Sequence, residues 1–367
     1  MGDSPQDLLD IYWLARQIAW RYKLDAYDDE VLATIQKTVT KARREILGRF
    51  EAQLLRTDWT AARAEEVLYV LDDLTAGLRQ SMADQLGDAA GFAGQYSLAE
   101  HSSILSVGGA ALAVSSVEVS ADQLRQMFVD TPLGGKTLAG WVDSAFDATV
   151  RAGIREELNA GVLQGEGYPK LVKRLTQGFE ALSKEQAVTL TRTYVQSANV
   201  AAAEAVYKRN ADVVSRVKWR SVLEPGYKKT GRGTCLRCAS LDGKTWALND
   251  ESRPDCPLHA RCRCQLSPMT ISWRDLGIDI DELEDAARPY TIRPGKNIGA
   301  GGRREILEYG QHKGDYGSWF EKQDEAFKLN VVGPGRLALL QEGKVKFEDF
   351  VDGAGNLRTL EELQNAR

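Results

Sequence analysis

Histidine is scarce in this chain. Of 367 residues only His101, His259 and His312 are histidines, which leaves little material for an active centre built on several imidazoles. Long apolar runs are missing too. The most apolar stretch, 104–117 (ILSVGGAALAVSSV), is rich in Gly, Ala and Ser and lies between Glu100 and Glu118. It falls short of the roughly 18 apolar residues of a spanning helix, so a buried segment and no membrane span are expected. The opening GDSPQDLLD is acidic and polar, without the basic and apolar runs of a signal peptide. Synthesis and action in a reducing cytosol follow as the expectation. There is no internal repeat and no low-complexity tract. The remaining balance, 43% hydrophobic and 27% charged, is that of a soluble globular protein, and the length suits two or three domains.

An excess of positive charge is also absent overall, with a net charge of −5. The distribution is uneven. Residues 201–270 carry thirteen Lys/Arg against seven Asp/Glu, a local +6 that leaves −11 for the rest. A solvated, mildly basic face accounts for this. So does local contact with a phosphate backbone or an acidic partner, for which Lys228, Lys229, Arg232 and Arg237 are the candidate residues.

What is present in the first third is helical periodicity. Leu32, Ile35, Val39, Ala42, Ile46, Phe50 and Leu54 recur at three- and four-residue steps, and Lys37, Lys41, Arg44 and Glu51 take the wet side. A second helix is predicted from about Thr60 through Val67, Leu71, Leu74, Leu78 and Met82, with Gly87 as its stop. The short link TDWT makes the two an antiparallel pair. Tyr12, Trp13, Trp20 and Tyr22 are available to pack on this pair or on another chain. Residues 137–160 again show helical spacing, and a turn at GEG (165–167) leads into another helix. Ser183 with Gln186 carries a capping-box signature that would open a further long helix through Leu190, Tyr194 and Ala198. VVSRVKWRSV (213–222) alternates and predicts a strand. Beyond Pro268 a tail of short helices with a Gly-rich break (GAGG, 299–302) is expected.

All five cysteines and one histidine fall within TCLRCASLDGKTWALNDESRPDCPLHARCRC, residues 234–264. Cys235 and Cys238 form a CxxC turn, and Cys256, His259, Cys262 and Cys264 follow a seventeen-residue gap. That spacing resembles a structural zinc site of four tetrahedral ligands, which would stabilise a loop without a core of its own. Cys235, Cys238 and His259 are the first three candidate ligands and Cys262 or Cys264 the fourth, with Cys256 spare, so six candidates stand for four places. A thioredoxin-like redox pair is disfavoured, because no βαβ pattern surrounds the motif. A disulfide framework requires an extracellular life and leaves one thiol over. His101 and His312 lie in no motif and are expected on the surface or in packing.

Taken together, Thr234, Cys235, Cys238, Leu241, Asp242, Gly243 and Lys244, then Pro257, His259, Cys262, Arg263 and Cys264, resemble the signature of the phage Mu F-like minor head proteins, the head morphogenesis family of tailed phages. Arg192-Thr193, Asn199 and Trp219 extend the likeness upstream, as do Gly135 to Leu138 with Trp141. YGSWFEKQ (316–323), 333–352 and LRTLEEL (357–363) extend it downstream, to cover roughly 120–367. Two positions depart from the pattern: Cys256-Pro257 stands where the family has paired prolines, and KKTGRGTC precedes the first cysteine.

The resemblance implies an α+β, predominantly α-helical fold. A helical N-terminal arm (1–120), the contact candidate for portal and capsid, would precede a Mu F-like domain (121–270) of helices and small β stapled by the Cys/His motif, with a short helical tail (271–367). It implies a non-enzymatic structural minor capsid protein of the virion, several copies per head near the portal vertex, and in the host cytoplasm during assembly. Its partners would be the portal protein and the major capsid protein, with nonspecific contact to packaged double-stranded DNA. A particle-delivered enzyme, a zinc-supported nuclease or a toxin, is the competing reading. Within the motif, Asp242-Gly243 is expected to make a tight turn with Gly243 at positive φ, and Lys244 to face outward. Arg263 is expected to hydrogen-bond a carbonyl or reach a phosphate, Arg192 to meet an acidic partner, and Trp219 to lie in the core.

Overall fold

The computed structural model describes residues 5–54, 61–106, 117–130, 136–164, 166, 168–224, 234–270, 288–298 and 303–365. Two long helices open the chain, α1 (Pro5–Leu54) and α2 (Ala61–Ser106). The periodic stripe is the cause of their pairing: Leu32, Ile35, Val39 and Ile46 of α1 are buried against Leu78, Met82 and Leu86 of α2. Each such side chain removed from water contributes about 1.5–3 kcal/mol before entropy. Trp20 stacks on Tyr96 at 5.4 Å while Gln85 donates to Thr38 at 3.1 Å, so the pair is antiparallel as expected. Of the early aromatics, Trp20 is buried in this layer. The side chains of Tyr12, Trp13 and Tyr22 lie outside the described residues, as do those of Val67, Leu71 and Leu74.

The predicted stop at Gly87 is overturned, because α2 runs on for another nineteen residues to Ser106. Gly87 serves close packing instead. A Cβ there would sit 2.9 Å from Val129 Cγ2, on α3 (Ala121–Asp130), and one at Gly94 would sit 2.9 Å from Phe128. A capping box opens α3, with Ser120 and Gln123 bonding each other's backbone N–H.

The helical spacing of 137–160 appears as α4 (Leu138–Ala145), one π-helical stretch (Phe146–Arg151) and α5 (Ala152–Leu163). Then α6 (Tyr168–Arg209) runs unbroken for 42 residues. The helix start read at Ser183 is therefore corrected. Leu171, Leu175 and Phe179 before it continue the same buried stripe as Ala187, Leu190 and Tyr194 after it. A cap contributes about 0.5–2 kcal/mol, less than this stripe gains by staying continuous. Arg43 of α1 crosses to Glu180 at 2.6 Å and Trp20 to Asn199 at 2.8 Å, so α6 packs antiparallel to α1 and forms the central rod of the fold.

At its C-terminal end α6 meets a three-stranded antiparallel sheet, order β2-β1-β3, built from β1 (Val214–Arg220), β2 (Thr245–Ala247) and β3 (Gln265–Thr270). The short helix α7 (Leu236–Leu241) lies between β1 and β2. The predicted strand is thus the central one, and its alternation places Val217 and Trp219 inward. A second sheet follows, the hairpin of β4 (Arg288–Ile298) and β5 (Arg303–His312), which the sequence pattern did not suggest. The GAGG break and the acidic stretch 275–287 lie outside the described residues. The tail closes as expected with short helices, α8 (Tyr316–Glu321), α9 (Glu325–Val332), α10 (Pro334–Gln341) and α11 (Leu360–Asn365). They gather on an aromatic cluster of Tyr316, Trp319, Phe320, Phe347 and Phe350. No helix among the described residues is long and apolar enough to cross a membrane.

The close approach at Gly87 predicts that Gly87→Leu destabilises the protein by about 1–3 kcal/mol, as overpacking does. Chemical denaturation checks this, and an unchanged midpoint would contradict the packing described.

Candidate metal centre

The centre begins where β1 ends. The β1 strand holds Trp219 fully buried, and its backbone fixes the turn that follows α7: Gly243 N donates to Trp219 O and Trp219 N to Lys244 O, both at 2.9 Å. Gly243 has φ +85, the left-handed region the turn demands, and a Cβ there would lie 3.1 Å from Asp315 Cβ. Cys235 is the N-cap of α7, its sulfur accepting from Cys238 N at 3.5 Å. The CxxC turn is thereby folded so that both sulfurs face one way.

The return loop brings His259 to them. Its Nε2 lies 3.1 Å from both Cys235 Sγ and Cys238 Sγ. Its Nδ1 donates to Ala260 O at 2.7 Å, which orients the ring and points Nε2 at the sulfurs. Cys262 Sγ stands 3.7 Å from Cys238 Sγ. Two trios result, Cys235-Cys238-His259 and Cys238-Cys262-Cys264, each with donor atoms within 4.8 Å, and Cys238 belongs to both. All five thiols are free. Cys256 lies outside both trios and donates to Cys264 O at 3.4 Å.

The donor chemistry fits a thiophilic divalent ion. A metal–sulfur distance of about 2.3 Å with tetrahedral angles implies sulfurs about 3.8 Å apart, close to the Cys238–Cys262 separation. Hydrogen bonding from Cys238 and then the His259 contact hold the Cys235 thiol down at about 4, against the cost of burial. The same Cys235 contact pushes His259 up to about 9. A thiolate–imidazolium pair therefore stands ready for exchange against a cation.

Residues 152–267 match the family model described as Phage Mu protein F like protein. Over these residues the chain is similar to the Mu F-like proteins of phage head morphogenesis. No curated protein and no solved structure matches the chain. The Mu F-like stretch takes in α5, α6, β1, α7, β2 and every cysteine, and it ends inside β3.

Other motif residues of the Mu F-like stretch have defined places. Asp242 does more than turn the chain. Its carboxylate is buried and pairs with Arg288 of β4, whose Nη1 lies 3.1 Å from Asp242 Oδ1. Ser221 N and Tyr316 N each donate to it at 2.6 Å, so one carboxylate joins β1, the hairpin and α8. Lys244, read as outward-facing, turns back instead and donates to Glu348 O at 3.0 Å. The tail's backbone offers it an acceptor there. Arg263 pairs with Glu224. Arg192 is partly buried opposite Asp28, Asp25 and Asp29 of α1, with burial lowering its pKa and those carboxylates raising it. Pro257 follows Cys256 through a cis peptide bond.

Arg261 was not singled out in the sequence, yet it docks the loop on α6. At φ 60, its N donates to Thr193 Oγ1 at 3.1 Å, its Nε to Thr189 Oγ1 at 2.9 Å, and its guanidinium pairs with Glu185. Glu185, Thr189 and Thr193 stand at four-residue steps, a polar stripe that marks a docking face. His101 is buried, its Nε2 donating to Asn199 Oδ1 and its Nδ1 lying 3.2 Å from the Tyr207 hydroxyl; burial lowers its pKa to about 4. His312 meets Ser318 at 3.0 Å. Neither reaches the cysteines. Of the basic residues considered for DNA, Arg237 donates to Gly355 O at 2.7 Å, while Lys228, Lys229 and Arg232 lie outside the described residues.

Removing one partner of a buried ion pair typically costs about 3–5 kcal/mol, so Asp242→Ala is expected to destabilise by that order. The double variant Asp242→Ala with Arg288→Met should recover part of the loss. Denaturant melts of the single and double variants check this; full additivity would contradict the pairing.

Proposed function

We propose that this chain is a structural minor capsid protein of a tailed phage, present in several copies per virion near the portal vertex and head interior. In this reading it forms in the host cytoplasm, contacts the portal protein and the major capsid protein, and aids head assembly and genome packaging or ejection. The observation that carries it is the Mu F-like match over 152–267. The helical arm α1–α2 is the surface we assign to portal and capsid contact.

The metal in this reading is zinc, held by Cys235, Cys238 and His259, with Cys262 or Cys264 completing the set. Zinc would supply a cross-link between the CxxC turn and the return loop, which have few large apolar side chains of their own. A structural rather than catalytic role is supported by how the donors are used. Their side chains turn on one another, and His101 and His312 are bonded elsewhere. Two surface grooves, of about 530 and 490 Å³, are lined by Gln95, Leu98 and Val117 and by Glu157, Lys173 and Arg174, away from the cysteines. The basic residues near the centre are engaged within the chain, Arg253 with Glu204, Arg261 with Glu185 and Arg263 with Glu224, so the proposal gives them no DNA contact.

Elemental analysis of the purified chain is expected to find about one zinc per molecule, with tertiary structure lost from the module on chelation. Because His259 holds its proton up to about 9, zinc uptake must displace it, and apparent affinity should rise with pH toward that value. Absence of metal together with paired cysteines would refute the zinc assignment. For the assembly role, quantitative mass spectrometry of purified particles should find the chain far below the major capsid protein in copy number. Phage unable to make it should yield defective heads. Normal infectious particles formed without it would sink the proposal.

A further inference from the structure

Two adjacent residues of α1 reach through α6 to the backbone that follows the last cysteines. Arg21 is held by Asp25 at 2.8 Å and donates to Gln196 Oε1; Gln196 Nε2 then donates to Cys264 O at 2.6 Å. Beside it, Trp20 Nε1 donates to Asn199 Oδ1 at 2.8 Å, and His101 Nε2 shares that oxygen at 3.2 Å. His101 Nδ1 lies 3.2 Å from the Tyr207 hydroxyl, itself 3.2 Å from Leu266 O. The spacing makes these two parallel rungs. Residues 20 and 21 are neighbours, 196 and 199 share one face of a helix, and 264 and 266 are two apart in extended chain, so their carbonyls point the same way.

Nearly every group in the rungs is out of water. Trp20, Gln196, Asn199, His101 and Tyr207 are all buried. The single Tyr207 hydroxyl proton is shared between His101 Nδ1 and Leu266 O, so it is the first rung that depends on its carbonyl: a buried donor left without its acceptor costs about 1–3 kcal/mol. Cys264 carries both ends of the first rung's link to the centre: its carbonyl accepts from Gln196 and from the Cys256 thiol. Cys264 Sγ belongs to the second sulfur trio and lies 3.5 Å from Ser221 Oγ.

We propose that Gln196 makes the seating of the first half of α1 conditional on a filled Cys/His centre with Cys264 among its ligands, which couples the assembly arm to metal occupancy. The inference rests on the metal reading above. When the centre is empty, Cys264 O shifts, Gln196 loses its acceptor, and Arg21 loses the amide that holds it. The apolar stripe Leu32 to Ile46 contains no such link and keeps the second half of α1 docked. Trp20 and Leu24 still pack on Ala90, Ala93, Val195 and Ala198, so the change is a local loosening confined to residues 16–28.

Hydrogen exchange of the full chain by mass spectrometry tests this, with zinc content measured on the same samples. Chelation is expected to speed exchange at least tenfold in peptides covering 16–28 and to leave 31–46 unchanged. Gln196→Leu should exchange rapidly in 16–28 with zinc still bound, and chelation should add nothing further. Arg21→Met, nearer the surface, should behave the same way if the first variant folds poorly. Zinc leaving with no change in 16–28 would overturn the coupling and leave the metal reading intact. Equal acceleration in 31–46 would also overturn it, as general unfolding. A chain that carries no zinc at all would overturn the metal reading and this inference together.

Discussion

Residues 234–264 cannot fold from within. They bring six metal-type donors and few large apolar side chains to one loop, so its shape has to be imposed from outside. The neighbouring elements do this side by side. From α6 come the Glu185, Thr189 and Thr193 stripe that holds Arg261 and the Gln196 amide that holds Cys264 O. From the end of β1 comes Ser221, whose hydroxyl donates to Cys238 O at 2.6 Å. From the tail come the carbonyls of Gly355 and Glu348 for Arg237 and Lys244. These grips hold the backbone around the donors, and in the proposed reading the metal joins the CxxC turn to the return loop.

The second determining element is the continuity of α6. A 42-residue helix has one end inside the apolar layer with α1, α2 and α5, and the other against the sheet and the cysteine loop. No break interrupts it, so the layer that packs on α1 and α2 and the end that meets the sheet and the cysteine loop belong to one continuous helix.

Much of this was legible from spacing. The α1 stripe, the alternating β1 strand, the Gly243 turn and the grouping of the cysteines with His259 all depend on neighbours within a few positions, where local periodicity and turn chemistry decide. The misreadings share the opposite property. Gly87 looks like a helix stop until Val129, 42 positions on, is seen to need the space. Ser183 carries a sound cap signature, but the apolar stripe on both sides outweighs it. The hairpin was hidden because Pro289 and Pro294, with register shifts from Thr291 to Asn297, erase the alternation that marks a strand. Asp242 reads as an ordinary turn residue because its partners, Arg288 and Tyr316, lie 46 and 74 positions away. Arg261 could have been paired with the Glu185 stripe, but nothing in the loop itself marks it.

The reach of Asp242 bears on how such a chain could be reshuffled. The family match stops at residue 267, while two of the groups that neutralise or bond this carboxylate belong to β4 and α8, beyond that limit. The matched segment therefore does not contain every partner of its own buried carboxylate. A different C-terminal piece grafted after β3 would have to present a cation and a backbone N–H at the same two points, or leave a bare charge in the interior. Exchange of tails in this architecture is thus restricted by a single buried oxygen pair, however freely the surfaces of those tails diverge.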